Sequence, residues 1–281
     1  MFHQNDVLHV QEVSLLVLNL KRSLEFYQNI LGLHVSERSK KERALSADGM
    51  HTLITLVEDP HAFPLGITQG LYHVALKLEK RSELAAVIKR LSDMRYPITG
   101  ASDHGVSEAI YLDDPDGHGL EIYWDKPHET WPLEHEKITM YTRPMDLQGV
   151  MRELALSDHY HIPQTMILGH LHLHVPDLTK AKAFYVDVLG FQVVMYYGAQ
   201  ALFIADHGYH HHIGLNTWQG DAPLCETRQI GLKSYILSVP KQEYLPLLKR
   251  LKDAHYTLRE DEAMPYIIDP LNQKLFFHFL N

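Results

Sequence analysis

The sequence predicts an α+β protein of four βαβββ modules. Three observations predict it: an internal repeat of nearly constant offset, strands of strict alternation, and an amphipathic helix placed after the opening strand. Phe26-Tyr27 recurs as Phe184-Tyr185 and Leu31-Gly32 as Leu189-Gly190, 158 residues later in both cases. Ala47-Asp48 returns as Ala205-Asp206 at the same offset. A second pair of segments behaves likewise: Gly70-Leu71 recurs as Gly231-Leu232, Lys89-Arg90-Leu91 as Lys249-Arg250-Leu251, and Asp114-Pro115 as Asp269-Pro270. There the offset drifts from 161 to 155, as loop insertions would cause. Self-similarity of this kind dictates the fold before any residue-level reasoning. The modules are read at 8–58, 70–126, 166–218 and 230–281, in the order A, B, A′, B′.

Each element follows from local pattern. In Leu171-His172-Leu173-His174-Val175 the leucines face one side and the histidines the other, the period of a strand. Over 180–189, Ala181, Phe184, Tyr185 and Val188 recur at helical spacing, with Asp177 or Thr179 able to cap the start. Gly190 then stands where a helix end favours a left-handed residue. Three short strands complete the unit, punctuated by turns such as Asp114-Pro115-Asp116-Gly117. Residues 127–165 carry Pro127, Pro132, Pro144 and Pro163 and are too long for an ordinary loop. Leu147, Val150, Met151 and Leu154 give Asp146–Leu156 helical spacing, so this stretch reads as a structured linker with a short helix.

Composition narrows the function. A chain of 281 residues, 45% hydrophobic and 22% charged, has material for a sizeable core and two domains of roughly 100–200 residues. A net charge of −9 argues against nucleic acid as a partner, because phosphate affinity needs clustered Lys and Arg. No apolar run reaches membrane-spanning length, and no signal peptide is read at the start. Cys225 is the single cysteine, which excludes internal disulfides and iron–sulfur clusters and points to a reduced, cytoplasmic setting. The unusual count is 21 histidines, several in clusters.

Four βαβββ units, two of them with Phe-Tyr followed by Leu-Gly, and the run Asp114-Pro115-Asp116-Gly117-x-Gly119-x-Glu121 resemble the vicinal oxygen chelate superfamily over nearly the whole chain. The chain is similar to its branch of glyoxalases and ring-cleaving catechol 2,3-dioxygenases. The resemblance implies the glyoxalase/extradiol dioxygenase fold, here four βαβββ modules forming two curved-sheet barrels, in which paired units enclose one divalent metal held by residues of first and last strands. Carried across, the type-A first-strand position holds Glu12 and then His170, the type-B first-strand position His73 and then Ser234, and the type-B last-strand position Glu121 and then Phe276. Ser234 and Phe276 are not strong ligands, so one B module is intact and the other degenerate. A strand histidine taken alone is usually a packed residue; three candidates at corresponding positions of a repeat change that balance.

His73, Glu121 and His170 together form two imidazoles and one carboxylate, the set that leaves open positions on non-haem Fe(II). Using all three requires modules 2 and 3 to pair, which is preferred because every intact position then serves. Pairing in chain order would offer Glu12, His73 and Glu121, a glyoxalase-like set, and leave His170 idle. Further members of the family pattern are Tyr111, ten residues before Glu121, and His104-Gly105-Val106, two residues closer to that tyrosine than is usual. His104 and Tyr111 are expected to hydrogen-bond the substrate. Within His210-His211-His212-Ile213-Gly214-Leu215-Asn216, read as a strand, His210 and His212 share a face with His211 opposite. His212 is the choice for the acid/base residue and His210 the second, a role that needs a pKa near neutrality. His172 and His174 are expected to orient His170 or simply to line the barrel.

The resemblance implies Fe(II)-dependent extradiol cleavage of a catechol-type aromatic by O₂, with Mn, Zn or Ni as other candidate ions. Two other classes stay open at this point. One is a glyoxalase-type lyase, isomerase or thiol-conjugating metalloenzyme, which a fourth protein ligand would favour. The other is a non-catalytic protein that binds an aromatic or chelating compound. Substrate ring, native metal and any homo-oligomer are not specified by the sequence.

Overall fold

The computed structural model describes residues 2–155, 160–261 and 264–280. Every module opens with a strand that lies parallel to its closing strand: His9–Val17 with Thr52–Glu58, Gly70–Leu78 with Gly119–Asp125, Ile167–His174 with Ile213–Asn216, and Gly231–Val239 with Lys274–Phe279. Parallel neighbours need a crossover, and the helix of each module supplies it.

In the type-A modules that crossover has two parts. Asn19 and Asp177 cap helices Leu20–Leu24 and Leu178–Lys182, their side chains accepting from the Arg22 and Lys180 amides. The chain then widens into π-helical turns, Glu25–Ile30 and Ala183–Val188, where an uninterrupted helix was expected over 180–189. Hydrogen bonds from the Leu31 and Leu189 amides to the Phe26 and Phe184 carbonyls close these wider turns. The extra residue per turn brings consecutive aromatics closer to one face, and both rings of Phe26-Tyr27 and Phe184-Tyr185 are buried. The turns end at Gly32 and Gly190, with φ of +87° and +103°, a backbone region that suits glycine.

Among the described residues the modules pair out of chain order. One sheet joins modules 1 and 4, in the order Arg259–Asp261, Met264–Ile268, Lys274–Phe279, Gly231–Val239, His9–Val17, Thr52–Glu58, Glu42–Ser46, His34–Ser39. The other joins modules 2 and 3: Arg143–Pro144, Gly100–Asp103, Ser107–Asp113, Gly119–Asp125, Gly70–Leu78, Ile167–His174, Ile213–Asn216, Ala201–Ala205, Gln192–Tyr197. In each sheet the two opening strands meet antiparallel at the centre. Tyrosines tie the sheets together: Tyr27 of module 1 donates to Asp114 of module 2, and Tyr185 of module 3 to Asp269 of module 4. One apolar core runs through all four modules.

The segment after module 2 is more than a connection. Its strand Arg143–Pro144 extends the second sheet, and its helix runs Leu147–Arg152, capped by the Asp146 carboxylate. The predicted helical stretch reached Leu156, which lies outside the described residues. Among the described residues no helix is long and apolar enough to cross a membrane.

Candidate metal centre

Four neighbouring strands of the second sheet contribute one residue each to a single row. Tyr111 stands opposite Glu121, Glu121 beside Ala75, and Ala75 opposite His170. Strand side chains alternate faces, so His73, two residues before Ala75, projects to the same side. The methyl group of Ala75 leaves the space into which Glu121 and His170 lean from either side. His73 Nε2 lies 3.0 Å from Glu121 Oε2, His170 Nε2 lies 3.4 Å from the same oxygen, and the two Nε2 atoms are 3.4 Å apart. This is the one His/Cys/Asp/Glu cluster among the described residues with metal-ligand spacing.

The electrostatics favour a bound cation. His73, Glu121 and His170 are 5%, 4% and 1% exposed. Burial pushes His170 down to about 4, so its ring is neutral at neutral pH. Burial alone would raise Glu121, but His170 and His73 outweigh it and hold the carboxyl well below its usual range. A buried carboxylate with no Lys or Arg partner among the described residues is costly unless a positive charge sits beside it. Ligand bonds of about 2.1 Å place adjacent donors of a tetrahedral or octahedral ion about 3.0–3.4 Å apart, so the donor set fits a divalent metal. Among the described residues the Nδ1 atom of His170 has no partner, so only the Nε2 side of that ring is held by polar contacts.

His73 and Glu121 form the floor of a cavity of about 290 Å³, with Tyr111, His104, His172, His211, Phe203, Tyr72, Trp218 and Met140 among its walls. Tyr111 and His104 do come together: the Tyr111 hydroxyl lies 2.6 Å from His104 Nε2, and His104 Nδ1 lies 3.0 Å from the Tyr141 carbonyl. That carbonyl only accepts, so the neutral ring carries its proton on Nδ1 and takes the phenol's hydrogen bond on Nε2. Burial and the nearby Glu121 charge push the Tyr111 phenol well above its ordinary range, which keeps it a donor.

The structure corrects the choice of His212. Its Nδ1 accepts from the Asp206 amide at 3.1 Å and its Nε2 donates to the Phe2 carbonyl at 2.7 Å, so both nitrogens are spent on backbone away from the cavity. The physical reason is local. His207 and Gly208 have φ of +52° and +72° and turn the chain, and the strand begins only at Ile213, so alternation does not govern residues 210–212. His210, the second choice, turns from the cavity to Asp125. His211 is the histidine that reaches the cavity, its ring centroid 4.1 Å from that of His170.

Two other expectations resolve similarly. His172 and His174 do not orient His170; they are joined through Asn216, which donates to His172 Nε2 and accepts from His174 Nδ1. Glu12 lies in the other sheet, accepting from Thr55 Oγ1 at 2.6 Å, and with Ser234 and Phe276 it lines a separate cavity of about 230 Å³. Sequence reasoning missed His211, the buried Asp125 network behind it, and the wall formed by Met140, Tyr141 and Thr142. The histidine run was visible; the irregular backbone that selects its middle member was not.

Comparison with known proteins agrees with this geometry. The family described as the Glyoxalase/Bleomycin resistance protein/Dioxygenase superfamily matches residues 7–122 and 167–232. The catechol-2,3-dioxygenase of Bacillus subtilis (strain 168) is 43% identical over 270 residues, covering 94% of each chain. A crystal structure of a Bacillus subtilis protein superposes with a TM-score of 0.64 at 16% identity, over 96% of this chain and 84% of the other. Glyoxalase I from Zea mays superposes with a TM-score of 0.58 at 12% identity, over 96% and 92%.

Proposed function

Because the chain belongs to the glyoxalase/bleomycin resistance protein/dioxygenase superfamily and folds with a buried His-Glu-His donor set on a cavity floor, we propose that it is an Fe(II)-dependent extradiol dioxygenase that cleaves a catechol-type ring with O₂. The observation that carries this reading is that the cavity reaches two of the three donors, His73 and Glu121. Three protein ligands on one side leave room for two substrate oxygens and O₂ on the other. Bound iron would supply Lewis acidity toward the catechol hydroxyls and a route for electrons from the ring to O₂.

The remaining work falls to this chain's own side chains. His73, Glu121 and His170 would hold the metal. Trp218, Tyr72 and Phe203 sandwich a flat ring, and Met140, Tyr141 and Thr142 cover it and exclude water. His211 takes the proton of a catechol hydroxyl on Nε2 and returns it later. Burial and the neighbouring His170 and His210 hold its pKa well below the ordinary value, so the ring is neutral before substrate arrives and binds a captured proton only weakly, which favours its return. The Tyr111 hydroxyl donates its hydrogen bond to His104 Nε2, and its oxygen accepts from a substrate hydroxyl.

The cavity suits a small neutral substrate. At about 290 Å³ it sits at the low end of small-molecule sites, roughly 300–1,000 Å³, and none of its lining residues is Lys or Arg. A single-ring catechol with an uncharged substituent fits this description better than one with a carboxylate tail. The glyoxalase reading loses its fourth ligand, since Glu12 stands in the other sheet. A lone cysteine is consistent with work in the reducing cytoplasm.

The test is direct. Anaerobically purified protein reconstituted with Fe(II) is mixed with catechol and O₂. A yellow ring-cleavage product, formed with consumption of one O₂ per catechol, is the expected result. Absence of product with every catechol tried, alongside turnover of a hemithioacetal, would replace this reading with the lyase; tight catechol binding without turnover would replace it with a binding protein.

A further inference from the structure

We propose that Asp125, acting through His210, fixes which nitrogen of His211 carries the proton, so that a bare Nε2 faces the cavity. This rests on His211 serving as the base in the reading above. The three residues form a chain: Asp125 Oδ1 lies 2.7 Å from His210 Nε2, and His210 Nδ1 lies 2.8 Å from His211 Nδ1.

Donor and acceptor rules leave one arrangement for neutral rings. An ionised carboxylate only accepts, so His210 bears its proton on Nε2 and its Nδ1 accepts. His211 must then donate from Nδ1, which leaves its Nε2 with a lone pair. Among the described residues the one hydrogen bond of the His211 ring is that on Nδ1, and His211 lines the cavity.

The chain is held firmly. Tyr209 packs at a tilt against His210, with centroids 4.0 Å apart, and donates to Asp125 Oδ2 at 3.0 Å. The Lys77 ammonium stands 3.6 Å from the same oxygen. Asp125 and Glu121 lie on one strand, four residues apart, so the strand that carries the metal carboxylate also carries the one that sets the tautomer. Asp125 and His210 touch no substrate; they are positioning residues.

Asp125→Asn tests the idea because Lys77 decides how an amide would sit. An ammonium only donates, so the Asn oxygen turns toward Lys77 and Tyr209, and the amide NH₂ faces His210 Nε2. His210 must then accept on Nε2 and donate from Nδ1, and His211 is left with its proton on Nε2, facing the substrate. In the iron-loaded enzyme kcat should fall at least about a hundredfold while the catechol KM stays within about threefold, the pattern of a lost proton-transfer group rather than a lost binding contact. Asp125→Glu keeps an acceptor and should recover activity above that of Asp125→Asn.

The tautomer is also read without turnover. Two-bond ¹H–¹⁵N correlation spectra of the full-length, metal-free chain with ¹⁵N-histidine should show His211 protonated on Nδ1 in the wild type and on Nε2 in Asp125→Asn. A wild-type His211 protonated on Nε2, or an Asp125→Asn enzyme with unaltered kcat, overturns the proposal. If the wild type cleaves no catechol, the functional reading falls, and the wild-type spectrum still decides this one. The same spectrum decides it if Asp125→Asn does not fold.

Discussion

His73 Nε2 and His170 Nε2 lie 3.4 Å apart although 97 residues separate them, because the opening strands of modules 2 and 3 run antiparallel side by side. Glu121 reaches the same point from the strand on the other side of His73.

The first prediction concerns metal uptake. The chelated chain should take up one Fe(II), or Zn(II) as a stable substitute, and its melting temperature should rise. At a hundredfold excess over Kd the gain is about 2.7 kcal/mol. His170→Ala should lose both the bound metal, by elemental analysis, and the shift in melting. Glu12→Ala should keep both; the reverse pattern would move the site to the other sheet.

Acid should destabilise the metal-free protein in a defined window. Folding lowers the His170 pKa from 6.5 to about 4, so below 6.5 the unfolded chain binds a proton that the folded chain refuses. This contribution is intact above 6.5 and is lost as pH falls toward 4. Burial lowers His172, His211 and His212 as well, which adds to the slope in the same direction. Thermal melts of chelated protein across this range should show stability declining with acidity; a flat or rising profile contradicts the assignment of neutral, buried rings.

Ala75→Leu should fill the space between Glu121 and His170. Overpacking of this kind costs about 1–3 kcal/mol. Urea denaturation should show that loss, and metal titration should show the site closed, while the far-ultraviolet circular dichroism spectrum is retained. Normal metal affinity in this variant would mean that the small residue in the row is not what permits convergence.

Tyr111→Phe should leave metal uptake intact and slow the reaction by about 10- to 100-fold, since one hydrogen-bonding group at the substrate's oxygens is removed. His104→Phe should act in the same direction through loss of the partner that orients the Tyr111 hydroxyl. Steady-state O₂ uptake, with metal content measured on the same samples, separates this outcome from simple loss of iron.

Much of the architecture was legible because repeats and periodicity are local properties. The 158-residue offset, the cap at Asp177, and the Asp-Pro turns at 114 and 269 can all be read along the chain. The candidate ligands were legible for the same reason: Ser234 and Phe276 lack the chemistry that His73 and Glu121 have, so the repeat itself separates intact from degenerate positions.

The ligand positions favour pairing modules 2 and 3, as observed, but only the tertiary structure decides that pairing, and it alone decides which histidine of three meets the cavity. Sheet pairing is a contact between distant segments that no single strand encodes, and both pairings satisfied the local pattern; the observed sheets separate Glu12 from His170. The backbone between Asp206 and Ile213 turns through left-handed residues before the strand begins, so alternation gave His212 a face it does not have. Asp125 drew no notice beside the metal glutamate because its partner His210 lies 85 residues away and approaches only when modules 2 and 3 share a sheet.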